Sequence, residues 1–170
     1  MGECTVVRTL TMARLLLAIG WLATALLAAT LASRFTLAAS GEGAAAHVVA
    51  SFVALLLAVL AHGWIAVFLL GSWVAVRRTV REHALDPLLV ESGRRLRWTT
   101  IVLAVAASAL TAALFVLRSG LAIDRLSAPW QWTAAALALA LQVTTLVVEG
   151  RAVRRNEGVL DDVATRLRGR

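Results

Sequence analysis

The sequence predicts an all-α integral membrane bundle of four transmembrane helices with both termini in the cytoplasm. Three observations predict it: four long apolar blocks, arginines gathered at alternate ends of those blocks, and tryptophans near the block boundaries. With 60% apolar and 16% charged residues, the chain is more apolar and less charged than a soluble domain, which runs at roughly half and a quarter.

The blocks cover residues 13–32, 48–76, 98–117 and 130–148. Each reaches the ~20 residues that a helix needs to cross ~30 Å of hydrocarbon, and the second is long enough to tilt or project beyond it. Backbone groups in lipid must bond within their own segment, so helices are the economical reading of all four. The first block can also be read as a cleaved signal sequence with Ala38-Ala39-Ser40 as its cleavage site, but its apolar core exceeds the roughly 7–15 residues such signals use. Blocks and connections take up the 170 residues as a single membrane domain and leave no room for a catalytic extramembrane domain.

All 17 basic side chains are arginine. Arg8 precedes the first block and Arg14 stands at its start, Arg77, Arg78, Arg81, Arg94, Arg95 and Arg97 fill the loop over residues 77–97, and Arg151, Arg154, Arg155, Arg166, Arg168 and Arg170 lie in the tail over residues 149–170. Only Arg34, Arg118 and Arg125 fall on the other side. By the positive-inside rule this split puts both termini and the middle loop in the cytoplasm. Arginine without lysine, together with the alanine and leucine bias, suggests a GC-rich bacterial genome, and hence the inner membrane. The net charge of +7 is accounted for by topology rather than by nucleic-acid binding, since the arginines flank apolar blocks and form no recognition element.

The tryptophans fit this frame. Trp73 and Trp98 fall near the cytoplasmic boundary and Trp130 and Trp132 near the outer one, where amphipathic rings prefer to sit; Trp21 and Trp64 are deeper and are expected to pack against neighbouring helices. In the middle loop, Asp86-Pro87 predicts a short helix through Glu91, with the carboxylate as N-cap and proline at the first helical position. Leu88, Leu89 and Val90 are then placed to rest on the membrane surface. Val159, Leu160, Val163 and Leu167, interleaved with charges, predict an amphipathic tail helix at the surface or against a partner subunit. Cys4 is the sole cysteine, which excludes an intrachain disulfide and a thiolate metal site. The N-terminal residues carry no myristoylation pattern.

Helices in lipid associate through small residues and interhelical hydrogen bonds. Small side chains recur every four positions at Gly20, Thr24, Ala28 and Ala32, at Ala50, Ala54, Ala58 and Ala66, at Ala104, Ser108 and Ala112, and at Ala134 and Ala138. His62 continues the second stripe and Gln142 the fourth, so both are expected to face protein. With Ser108 they would form one buried polar layer, a neutral imidazole bonded to Gln142 or Ser108 acting as interhelical glue. Glu149 and Arg151 read as helix-end charges.

A second reading of the histidines starts from spacing. His47 and His62 are fifteen residues apart on one helix, about 22 Å along the axis and about 60° in azimuth. That separation resembles the paired histidines of membrane b-type cytochromes. The resemblance implies haem b, with His62 and His47 as ligands, in an electron-transfer subunit. The other three helices carry no histidine, so the opposite ligands would come from a second copy or a partner subunit, or a single axial histidine would leave the sixth position open; His83 lies in the loop, at the wrong depth.

Transport would ask for broken helices, a polar lining and internal repeats, none of which the blocks show. Enzyme chemistry would ask for paired carboxylates, a metal-ligand cluster or a phosphate-cradling loop, and no catalytic or metal-binding residue is assigned. Ser51 beside His47 lacks a third orienting group. The expectation is a small structural or anchoring subunit, in contact with the lipid bilayer and with other membrane subunits or further copies of itself.

Overall fold

The computed structural model describes residues 3–37, 44–91, 93–119 and 128–169. Among these the chain is all helical: α1 (Glu3–Leu37), α2 (Ala44–Glu82), α3 (Leu88–Glu91), α4 (Arg94–Ser119) and α5 (Ala128–Arg168). Four helices are long and apolar enough to cross a membrane. The possible cleavage site at residues 38–40 lies outside the described residues.

Successive long helices run antiparallel, and α2 and α5 form the inner pair, each touching the other and both α1 and α4. One end of the bundle therefore gathers the start of α1, the end of α2, α3, the start of α4 and the end of α5. We call it the loop end.

Small residues let the backbones approach. Ala54, Ala58 and Ala61 on α2, Ala104 and Ala107 on α4, and Ala138 on α5 are all buried, as are Gly20, Ala23 and Thr24 on α1. The threonines that face inward satisfy their hydroxyls within their own helices: Thr24 donates to the Gly20 carbonyl at 2.9 Å, Thr100 to Leu96 and Thr111 to Ala107, each at 2.8 Å. Trp21 and Trp64 depart from expectation. Both are about half exposed on the outer surface, because the interior is spaced for alanine and has no room for an indole.

Beyond the apolar stretch the chain builds a second small core at the loop end. Val76, Val80 and Leu85 bury against Val163, with Leu89, Val90, Val159, Leu160 and Leu167 packed around them. The tail is thus no separate surface helix. It continues α5 without a break to Arg168, and its apolar stripe is covered by α2 and α3 of the same chain. Leu89 and Val90 join that core, while Leu88 alone of the three stays largely exposed.

The connection from α2 to α3 follows from local chemistry. Asp86 Oδ1 accepts the Leu88 N–H at 2.9 Å, as the N-cap reading predicted. Upstream, the Leu85 N–H reaches the Val80 carbonyl at 3.0 Å while Ala84 adopts φ 46°, the left-handed closure of a helix that usually falls to glycine. On the last turn of α2, the Arg78 guanidinium binds Glu82 at 2.7 Å and holds that carboxyl below its usual range, the hydrogen bond contributing most and the charge next. Replacing Ala84 with glycine is expected to raise stability by about 1 kcal/mol, since a Cβ in the left-handed region costs roughly 1–2 kcal/mol. An unchanged unfolding midpoint would show that the turn carries no such strain.

Candidate functional site

Along α5, inward-facing positions follow one another at three- and four-residue steps: Ala138, Gln142, Thr145, Glu149, Ala152 and Val153 are all buried. Arg151, Arg154 and Arg155 project outward from the same turns. The helix therefore stays packed on its inner face after its outer face has become charged. Glu149, which reads in the sequence as a helix-end charge, is instead 0% exposed, and it meets His62 of α2, itself 1% exposed.

The two are bonded directly, His62 Nδ1 lying 2.8 Å from Glu149 Oε1. His62 Nε2 and Glu149 Oε2 have no hydrogen-bond partner among the described residues. Neighbouring contacts fix the level of the pair. Gly20, near the middle of the first apolar block, sits against Ala61 and Leu146, the residues one before His62 and three before Glu149. Arg14 pairs with Glu157 at 3.3 Å, two turns nearer the loop end, which at 1.5 Å per residue is about 12 Å from Glu149. The pair thus lies well inside the apolar zone, closed on the loop side by Ala13, Ile65, Leu69, Ala152 and Val153.

Of the expected polar layer, His62 and Gln142 are both buried, Gln142 at 0% exposure, and Ser108 is half-buried. They are not joined. Both polar atoms of the Gln142 side chain lack a partner, and seven residues separate Gln142 from Glu149, about 10 Å along the axis. The axial register of α5 against α2 sets Glu149, rather than Gln142, level with His62. Glu149 is the functional candidate that sequence reading missed, although a signal was present: a seven-residue step from Gln142 keeps a side chain on the same helical face.

Of the two histidines paired in the haem reading, His62 is buried with its Nδ1 bonded to Glu149 and its Nε2 unpartnered among the described residues. His47 is half-buried towards the other end of α2. Carboxylate-backed histidines also occur as metal ligands, but among the described residues no group of three His, Cys, Asp or Glu side chains converges. A cavity of about 40 Å³ lies between Leu31, Ser51, Leu55, Thr111, Phe115 and Ala138, and another of about 30 Å³ lies at the loop end beside Trp73 and Arg97. Neither is lined by His62 or Glu149.

Chemically, the site is a histidine–carboxylate hydrogen bond shut away from solvent, suited to locking α2 to α5 at one register. Comparison with known protein families, with characterised proteins and with solved structures finds no match to this chain.

Proposed function

We propose that this chain is a small multi-pass subunit of the bacterial inner membrane, with cytoplasmic termini, that anchors a larger membrane assembly by packing another transmembrane helix against α2. The observation that carries the reading is an open ridge on α2. Gly63, Val67, Gly71 and Ala75 follow one another at four-residue steps, and all are exposed. A Cβ built on Gly63 or Gly71 would meet nothing within 4 Å. The bundle itself has no use for either glycine, and each costs the helix roughly 0.5–1 kcal/mol relative to alanine. Small residues such as Gly63, Gly71 and Ala75 allow close backbone approach between helices in lipid, with Val67 between the glycines as the side chain that a partner helix would pack around.

The arginine distribution supports the orientation, and the arginine-for-lysine bias with abundant alanine and leucine supports a bacterial source. The closed His62–Glu149 pair suits a rigid prop better than a conduit, since a transport path would need hydration reaching the ionisable groups.

The test places a single cysteine at Ala75 in a Cys4→Ser background and oxidises native membranes. Cross-linked species heavier than the monomer are expected. They should disappear when Gly63 and Gly71 are both replaced by leucine, while the purified monomer's unfolding midpoint stays level or rises. Cross-linking that ignores the leucines, or a chain that remains monomeric throughout, would overturn the reading.

A further inference from the structure

The loop-end cavity has a chemistry that packing does not explain. Arg97, in the first turn of α4, is only 8% exposed. Its guanidinium lies 4.9 Å from the Trp73 ring centroid, a stacking contact that leaves its N–H donors unused. Among the described residues no carboxylate or other acceptor is bonded to that guanidinium. The nearest acidic influence on it is Glu91, whose carboxylate is already paired with Arg94 at 3.7 Å.

Across the cavity, Asn156 of α5 accepts the Ser72 hydroxyl on Oδ1 at 3.1 Å. Its Nδ2 is buried without a partner. Arg155 and the backbone of Gly93 complete the polar wall, and Leu69, Val76 and Leu96 form the apolar one. One buried orphan donor, Asn156 Nδ2, and one guanidinium with no protein acceptor among the described residues thus line one cavity of about 30 Å³, room for about two water-sized groups.

Arg97 is nearly enclosed and its guanidinium has no protein acceptor among the described residues, so its donors are left to water or to a ligand. Water can satisfy some of its donors, but water does nothing for the net positive charge of the site. An anion with several oxygens does both, and phosphate matches arginine's fork geometry. Trp73 also borders a second, wider groove lined by Arg77, Arg78, Arg81 and Glu82, in which Glu82 pairs with Arg78 and leaves Arg77 and Arg81 as the excess positive charge, with Arg77 5.4 Å from the same ring. The cavity therefore opens beside a basic surface that draws anions towards it.

We propose that Arg97, Asn156 and Arg155 form a phosphate-binding site at the loop end, in which phosphate oxygens seat between α2, α4 and α5 against Trp73. Two sources carry that chemistry, the phosphodiester of an anionic lipid and free phosphate. The level of the site, beside the Ser72–Asn156 bond at the end of the apolar zone, is that of a phospholipid phosphate layer. Only this choice of source rests on the membrane reading; the anion site stands on its own geometry.

The test uses the full chain in a phosphate-free maltoside detergent, titrated in a calorimeter with dihexanoyl phosphatidylglycerol, with inorganic phosphate, and with dioctanoylglycerol as a phosphate-free control. Saturable binding of the phosphatidylglycerol, of inorganic phosphate, or of both is expected, with none for dioctanoylglycerol. Binding of the lipid alone assigns the site to a headgroup, and comparable binding of inorganic phosphate assigns it to the free anion. Arg97→Gln and Asn156→Asp should each weaken binding by about tenfold or more. The second variant keeps the acceptor for Ser72 and adds a negative charge to the cavity, so it remains informative if the first misfolds. Absence of binding to either phosphate probe, equal binding of dioctanoylglycerol, or unchanged affinity in folded variants would overturn the proposal.

Discussion

Replacing Glu149 with alanine is expected to destabilise the bundle by about 1–3 kcal/mol, the cost of leaving a buried polar partner unsatisfied. Interhelical hydrogen bonds in membrane proteins average only about 0.6 kcal/mol, because separated helices in lipid find other partners. The larger figure applies here because the remaining imidazole stays enclosed at 1% exposure, with neither ring nitrogen bonded once the carboxylate is gone. His62→Ala should cost a similar amount for the complementary reason. The double replacement His62→Leu with Glu149→Leu should behave differently. It exchanges the pair for apolar side chains of comparable size and removes both polar groups together, so its stability is expected within about 1 kcal/mol of the native chain. Reversible unfolding in mixed detergent, run as a double-mutant cycle, reads all of these. Should the double variant lose as much as the two single ones added together, the pair is not coupled and does not lock α2 to α5.

The same pair marks where sequence reading stops. Helix number was legible because hydrocarbon imposes a minimum length that the four blocks meet, and α3 was legible because aspartate followed by proline is a local signal needing no tertiary information. The burial of His62 and Gln142 followed from the small-residue stripes that they continue. Their partnership did not. Which residues of α5 stand level with His62 depends on the axial register between two helices, and apolar periodicity specifies only which way each face turns. Glu149 was hidden further because a carboxylate that closes an apolar block reads as the end of a span. In the fold the outward-facing Arg151, Arg154 and Arg155 end the apolar character of α5, while Glu149, Ala152 and Val153 continue its packed face. Trp21 and Trp64 misled in the opposite sense. Their depth along the chain suggested packing, but an interior built at alanine spacing turns large rings outward.

That spacing can be tested where it is tightest. A Cβ at Gly20 would stand 2.6 Å from Leu146 Cδ2 and 3.6 Å from the Ala61 Cβ. The first distance is far inside van der Waals contact, and Leu146 is 1% exposed, so its side chain has little space into which to swing. Gly20→Ala is therefore expected to cost about 1–3 kcal/mol through overpacking, even though alanine is the better helix former by about 1 kcal/mol. Gly20→Leu should cost more and displace α1 from the α2–α5 pair, loosening the Arg14–Glu157 contact two turns away. Shortening the opposing side chain gives the decisive comparison. Leu146→Ala alone opens a cavity and loses stability, but combined with Gly20→Ala it supplies the room that the new methyl needs. The pair should then be more stable than the sum of the two single losses predicts. Gly63→Ala and Gly71→Ala provide the internal control, since neither added methyl meets anything within 4 Å, and both should leave the monomer as stable as before or slightly more so. If Gly20→Ala falls with these two instead, α1 does not close on Leu146, and the distance at which the first helix seats on the bundle is set elsewhere.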